Sequence, residues 1–398
     1  MNNQVLWTLE FLGMSASSFF QYMAHYALIA ALPVVVTGQL GGNEWQAGLV
    51  MTFFQIGAVL FRPLAGKWID QFDKKGMLFA VLAVFFAVSL MYLGVTGLGL
   101  YFLLLIRFLH GGVFAVGSTA VAATAALIVP EQRKGEGIGY FAMFSTLAMV
   151  VGPFFSLTLI SHYTPEVLFA SVVVLAALAF WTANRNTLDG LAGKGKKPGG
   201  RSLRWHDFIE ARALPVAFIG GLLFFAYAGV LVFVPIYARL LELTQYTSLF
   251  FAVYALSIVI TRPLVGQLFD RAGMHMVVYP GIMLFVLGLV CLSQVQGAVG
   301  FLIAAAIIGV GFGALSPTFQ ALAVQVSPSR RAGVATSTYF LALDISVGMG
   351  SFFLSFLAAG TGYRSMYLCT AVVVGLAAVA YYTLRRRLVS RGGSAALR

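Results

Sequence analysis

Long uninterrupted apolar runs alternate with short polar joints along the whole chain. Each run has about the 20 residues that a helix needs to cross a bilayer at about 1.5 Å per residue. Twelve are read, at roughly 8–36, 45–69, 76–98, 100–129, 136–160, 166–184, 213–238, 246–269, 274–295, 298–325, 332–359 and 363–384. Apolar residues follow one another within them and do not alternate with polar ones, which favours helices over the strands of a membrane barrel. The predicted fold class is all-α integral membrane, with twelve transmembrane helices.

The polar joints then set the topology. With the N-terminus placed in the cytoplasm, twenty Lys and Arg fall on the inner side, against Arg239 and Arg364 outside, and Arg62, Arg107 and Arg262 lie within helices. Such a bias follows the positive-inside rule and puts both termini inside. One long polar stretch, 185–212, divides the chain. Its Gly, Lys and Pro mark a flexible linker, and Leu203 to Arg212 is read as a short amphipathic helix on the inner surface. The domain reading is a six-helix bundle over 1–184, the cytoplasmic linker over 185–212, a second six-helix bundle over 213–384 and a basic cytoplasmic tail over 385–398.

Composition agrees with this pattern. Hydrophobic residues make up 60% of the chain and charged ones 10%, and mean hydropathy is +0.92. A soluble surface needs far more charge. The net charge of +12 is explained by topology and by attraction to anionic lipid, so no nucleic acid is invoked. Met1 to Trp7 carries no basic residue, so the first run is not read as a cleavable signal peptide. Cys291 and Cys369 fall within apolar runs and are read as unreactive thiols.

The sequence also repeats itself. RPLAGKWID at 62–70 returns as RPLVGQLFD at 262–270, and VPEQRKGEGIGYF at 129–141 corresponds to VSPSRRAGVATSTYF at 326–340. Two homologous halves are an architecture suited to alternating access. At these residues the chain resembles the major facilitator superfamily, over essentially its whole length. The family's loop motif, G-x-x-x-D-[RK]-x-G-[RK], is matched by Gly266, Asp270, Arg271 and Gly273. The first-half copy keeps Gly66, Asp70, Lys74 and Lys75, but has Gln71 and Asp73 where the family has a basic residue and a glycine. Arg107, His110 and Gly111 match the fourth-helix motif R-x-x-Q-G, with His for Gln. Gly152 and Pro153 match the packing motif of the antiporter branch only in part, since Ser156 and Leu157 replace its last glycines.

The resemblance implies two pseudo-symmetric six-helix bundles of the major facilitator fold. It also implies that Gly66, Asp70, Lys74, Gly266, Asp270 and Arg271 form conformational latches. Small residues let helices approach closely, and a carboxylate at a neighbouring helix N-terminus is favourable. The alternative is a helix-end charge in solvent. Arg62 and Arg262 are read as snorkelling to the inner interface.

Ionisable groups at membrane depth are costly and mark function by default. Asp344 lies about 20 Å into the eleventh run, with Gly348, Ser351 and Ser355 on its face. It is the candidate proton carrier; the alternative is a structural aspartate. Arg107 lies about 12 Å from the outer end of its helix, with His110 on the same face, and His25 shares a stripe with Gln21 and Ser18. The family resemblance places the first, fourth, seventh and tenth helices around a central cavity, where Gln21, His25, Arg107 and His110 would meet. Phe224, Tyr227, Phe312 and Gln320 lie on the matching helices of the second half. Imidazoles exchange protons near neutral pH, but each His can equally be a packing residue. Two histidines lack a third metal ligand, so no metal is expected. Glu10 sits at the inner end of the first run.

The functional expectation is a secondary active transporter that exports a small amphipathic molecule, such as a drug, a metabolite or a siderophore-like compound. A proton gradient is the energy source, because no phosphate-binding loop is present. No enzyme activity, catalytic residue or cofactor is expected. The partners are the small-molecule substrate, protons and membrane lipids, and the chain is read as a monomer in a bacterial cytoplasmic membrane. The rival readings are a proton-coupled importer of a sugar or organic anion and, from a different class, a polytopic membrane transferase.

Overall fold

The computed structural model describes residues 5–42, 44–184 and 208–390, apart from a few side chains within helices, Asp70 and Lys74 among them. Eleven α-helices are found there: α1 (Leu9–Gly38), α2 (Glu44–Gln71), α3 (Lys74–Met91), α4 (Val95–Ile128), α5 (Lys134–His162), α6 (Pro165–Asn184), α7 (Leu214–Leu240), α8 (Thr247–Ala272), α9 (His275–Ser293), α10 (Ala298–Gln325) and α11 (Ala332–Ser390). Lipid offers the backbone no hydrogen bonds, so a spanning chain must satisfy its own. Helices do this within a single segment, which explains why apolar runs become helices here.

Two helical stretches are too long for one crossing, and each is broken by a glycine. Lys75–Ile128 spans 54 residues, about 80 Å if straight. Gly99 interrupts it at φ 79°, in the left-handed region that only glycine enters at little cost. Gly362 interrupts α11 at φ 82°. The breaks fall where the apolar pattern separates its third from fourth and eleventh from twelfth runs. Twelve spanning arms result, as the pattern predicts.

Helix starts follow local chemistry. Thr8 accepts from the Phe11 amide at 3.2 Å and caps α1. Asp73 accepts from the Gly76 amide at 2.7 Å and caps α3. Asp73, a departure from the loop motif, thus satisfies an orphan donor of the next helix.

The chain forms two compact units. The first is Met1–Pro130, Phe144–Glu210 and Arg330–Thr338; the second is Glu131–Met143, Ala211–Ser329 and Tyr339–Arg398. In the first, α4 packs on α2, α3 and α1, and α6 on α1 and α3. In the second, α10 packs on α9, α8 and α7. Glycines set the closest approaches. A Cβ on Gly57 would stand 2.1 Å from the Phe108 carbonyl oxygen, and one on Gly111 would stand 1.9 Å from that of Phe54. The matching contact in the second unit is Gly309, where a Cβ would run into the Tyr254 carbonyl oxygen. The α10 glycines serve packing: Gly311 faces the Phe285 backbone and Gly313 the Ile258 side chain.

The reading of Leu203 to Arg212 as an amphipathic helix is corrected where it can be followed. Residues 208–213 are coil and turn, and α7 starts at Leu214; residues 203–207 lie outside the described residues. Glu210 is held by contacts to Arg331 and Thr338, which take the backbone and carboxylate that a surface helix would have used.

Gly111→Ala should lower stability by about 1–3 kcal/mol or more, because backbone blocks the new methyl. Gly97→Ala, where a Cβ meets nothing within 4 Å, should be close to neutral. Thermal unfolding of the two purified variants checks the contrast, and equal midpoints would contradict it.

Candidate functional site

Three ionisable residues of the first unit, His25, Arg107 and His110, converge on the ring of Phe54. Arg107 is fully buried, because the tight α2–α4 contact turns it onto the α2 backbone. Its Nε donates to the Val50 carbonyl at 3.3 Å, one Nη to the Tyr92 hydroxyl at 3.5 Å and the other to Met51 Sδ at 3.8 Å. The guanidinium lies 4.4 Å from the Phe54 ring centre. His110, also fully buried, places Nδ1 2.8 Å from the Tyr92 hydroxyl, while its Nε2 has no hydrogen-bond partner among the described residues. Since the Tyr92 oxygen accepts from Arg107, its proton is free to go to His110 Nδ1. His25 packs between Phe54 at 4.5 Å and Phe114 at 4.6 Å, and its Nδ1 also lacks a partner.

His25, Arg107 and His110 therefore do meet, but through intermediaries. Phe54 touches all three, and Tyr92 bridges the last two. Sequence reasoning passed over both intermediaries. The signal available for Tyr92 was a lone hydroxyl at the end of an apolar run. Gln21 is also fully buried, donating to the Ser17 carbonyl at 3.4 Å and hydroxyl at 3.3 Å. Its Oε1 faces Gly117 of α4 and has no hydrogen-bond partner.

This cluster has an unbalanced charge. Every Asp and Glu of the first half lies in a joint or near a helix end: Glu10, Glu44, Asp70, Asp73, Glu131, Glu136 and Glu166. Arg107 is thus compensated by a carbonyl, a hydroxyl, a thioether and a ring face. Burying a cation on such terms is costly, and an anion brought to the cluster would recover part of that cost.

The second unit keeps the ring frame without the arginine and the histidines. Tyr227 stacks on Phe312 at 4.2 Å and on Tyr254 at 6.2 Å. The correspondence is His25 with Tyr227, Phe54 with Tyr254 and Phe114 with Phe312. The matched glycine contacts of Gly111 and Gly309 then put Ala305 and Ile308 in the places of Arg107 and His110. Gln320 is buried on α10, eight residues beyond Phe312 and outside this stack. Asp344 is half-buried midway along the first arm of α11. Its neighbours Ala342 and Ser346 face Gly221 of α7.

The loop motifs form helix-end contacts. Gly266 packs on Glu136, where a Cβ would stand 2.6 Å from that residue's Cα. Asp270 accepts from the Gly135 amide at 2.8 Å and the Glu136 amide at 2.9 Å, capping the first turn of α5 with both carboxylate oxygens. Arg133 forks onto Glu136 at 2.7 and 2.8 Å, and Arg271 is exposed. In the first unit Gly66 packs on Val334 and Ser337, and the Ser337 hydroxyl donates to the Arg62 carbonyl. The side chains of Asp70 and Lys74 lie outside the described residues. Gly152 packs on Tyr26 and Ala27 of α1, a Cβ standing 2.9 Å from the Tyr26 side chain, and Pro153 follows within α5.

The snorkelling reading of Arg62 and Arg262 is corrected. They are 4% and 5% exposed, and Arg62 donates to the Thr119 hydroxyl at 3.2 Å. Their carbonyls and side chains face packed helices instead of the interface. Among the described residues no three of His, Cys, Asp or Glu come together as a metal site.

Comparison with known proteins places this geometry. Residues 14–351 match the profile of the Major Facilitator Superfamily. An uncharacterized MFS-type transporter of Methanocaldococcus jannaschii is 27% identical over 380 residues, covering 92% of this chain and 96% of that protein. The staphylopine export protein of Staphylococcus aureus is 23% identical over 355 residues, covering 84% of this chain and 86% of that protein. The major facilitator transporter FucP superposes with a TM-score of 0.76 at 15% identity, covering 94% of this chain and 98% of its own. The repeated halves, the all-helical membrane fold and these matches agree: the chain is a multi-pass membrane transporter that belongs to the Major Facilitator Superfamily.

Proposed function

We propose that this transporter works by alternating access as a proton-coupled exporter of a small amphipathic molecule bearing an anionic group. The observation that carries the reading is Arg107, a buried guanidinium with no acid among its hydrogen-bond partners, set among two imidazoles and aromatic rings. The rings suit the apolar body of such a solute and the guanidinium its anion. Export is supported by the staphylopine export protein among the relatives. Import of an organic anion is the second reading, since Arg107 would serve it equally. Asp344 is the proposed proton carrier, as an ionisable group halfway along a spanning arm. Gly66, Asp70, Lys74, Gly266, Asp270 and Arg271 are proposed to hold the chain in one state of the cycle. Both termini are proposed to face the cytoplasm of a bacterial cell.

Direction is tested in proteoliposomes under an imposed pH gradient, after a thermal-shift screen of drugs, metallophores, sugars and organic acids has found a ligand. Accumulation only in vesicles of inside-out orientation supports export, and the reverse supports import.

Arg107→Ala should weaken an anionic substrate about tenfold or more, because a hydrogen bond to a charged group contributes about 1.5–3 kcal/mol. Arg107→Lys should recover part of the loss, since the planar fork is missing. Binding isotherms and thermal midpoints on the same preparations separate the roles. A stability loss with unchanged affinity removes Arg107 from the binding site.

Asp344→Asn should abolish uphill transport while substrate counterflow survives. Uphill transport at the parental rate would remove it as an essential proton carrier.

Asp270→Asn should free the α5 amides it caps, at a cost of about 1 kcal/mol. Amide exchange at Gly135 and Glu136 should quicken roughly fivefold, and unchanged exchange would show that the carboxylate does not hold them.

A further inference from the structure

The described end of the linker is a strap on the first unit. Glu210 is 4% exposed, and its carboxylate meets Arg331 Nε at 2.8 Å. The same guanidinium donates from Nη2 to the Ile209 carbonyl at 3.3 Å. The Glu210 amide donates to Thr338 Oγ1 at 2.9 Å. The Phe208 ring lies 4.9 Å from the Lys67 ammonium, and Lys67 directly follows the motif glycine Gly66. Three residues of linker thus reach α2, the turn before α11 and the second turn of α11.

The internal repeat explains why they are needed. Arg133 and Arg331 each end a 3₁₀ turn, Glu131–Arg133 and Ser329–Arg331, one residue before the next helix. Gly266 packs on Glu136 as Gly66 packs on Val334, so positions 136 and 334 correspond. In the second unit Arg133 finds its carboxylate three residues ahead, in Glu136. In the first unit that place holds Val334, and Arg331 finds its carboxylate in Glu210.

We infer that Glu210 supplies the carboxylate that position 334 lacks, and that the linker end is a third member of the α2–α11 contact, a positioning residue for the transport cycle. The chain leaves the first unit after Glu210 and again after Thr338, and the Glu210–Thr338 bond ties these two exits together. When the 330–338 segment separates from α2, the strap must either travel with it or leave the buried Glu210 carboxylate without its half-exposed guanidinium partner. Leaving a buried carboxylate unpaired is costly, so the strap biases the cycle toward the state in which the contact is closed.

The test uses the full chain in membrane vesicles with Cys291 and Cys369 replaced by alanine, and S337C as the reporter. Ser337 is fully buried against α2, so labelling of the S337C thiol by an impermeant maleimide reads opening of the contact. Glu210→Gln should raise the labelling rate about tenfold, the order expected for one charge-assisted contact. Adding Val334→Glu should return it to the parental rate, because Arg331 then has a partner at the spacing Arg133 uses. Failure of Val334→Glu to restore a raised rate, or an unchanged rate in Glu210→Gln, overturns the proposal. Arg331→Lys, which keeps the charge and loses the fork to Ile209, should raise labelling severalfold. It decides the matter where Glu210→Gln does not accumulate, an unchanged rate again overturning the proposal. None of these outcomes depends on the identity or direction of the cargo.

Discussion

The approach of α2 to α4 is the constraint on which the first unit's chemistry depends. Two glycines on facing helices let each backbone touch the other, Gly57 at Phe108 and Gly111 at Phe54. In lipid there is no hydrophobic drive between helices, so such contact is what holds them together. It also fixes what else can happen there. With the Phe54 carbonyl pressed on Gly111, the Phe54 ring is held between α1 and α4, His25 packs on it and the Arg107 guanidinium lies over it. One helical turn up α2, the Val50 carbonyl accepts from Arg107. The placement of these polar groups is a consequence of how two backbones meet.

Duplication kept that frame and changed its contents. The second unit repeats the close contact at Gly309 and the ring stack at Tyr227, Tyr254 and Phe312. Where the first unit has an arginine and two histidines, the second has Ala305, Ile308 and Tyr227. A hydroxyl on an aromatic ring is the mildest polar group that fits a slot built for stacking. The ionisable groups of the second unit lie elsewhere, among them the buried Arg262 on α8 and the half-buried Asp344 on α11. Two copies of one scaffold thus carry unlike chemistry.

Much of this was legible in the sequence, for identifiable reasons. Apolar runs separate at Gly99 and Gly362 because a spanning helix has a fixed length and only glycine turns cheaply between two of them. The loop motif pointed to Asp270 because a carboxylate repeated at the end of an apolar run ends one helix and can cap another. Bringing His25, Arg107 and His110 together needed the family's helix arrangement besides depth and face, and Gln21, grouped with them on the same grounds, bonds within α1 instead. Depth alone misled for Arg62 and Arg262, since position along an axis says nothing of which neighbour lies beside it. Phe54 and Tyr92 stayed hidden among 35 Phe and 16 Tyr, because what singles them out is contact. Glu210 was hidden for the same reason: its partner Arg331 is more than a hundred residues away in the chain.

The imperfect first copy of the loop motif is better understood as repaired than as degraded. Its second glycine is Asp73, and that aspartate caps α3. Its contact on α11 has Val334 where the other half has a glutamate, and Glu210 reaches in to hold Arg331. At these two departures from the repeat a group is at hand for the donor concerned, the Gly76 amide in one and the Arg331 guanidinium in the other. Helix-end amides and guanidinium donors gain from a nearby acceptor, and where the repeat lost one the fold brings another. The linker, which joins the halves, is the segment free to do so for the first copy. The second copy, with Glu136 within its own helix, has no such need, and the two halves came to differ at the junction where one of them acquired a strap.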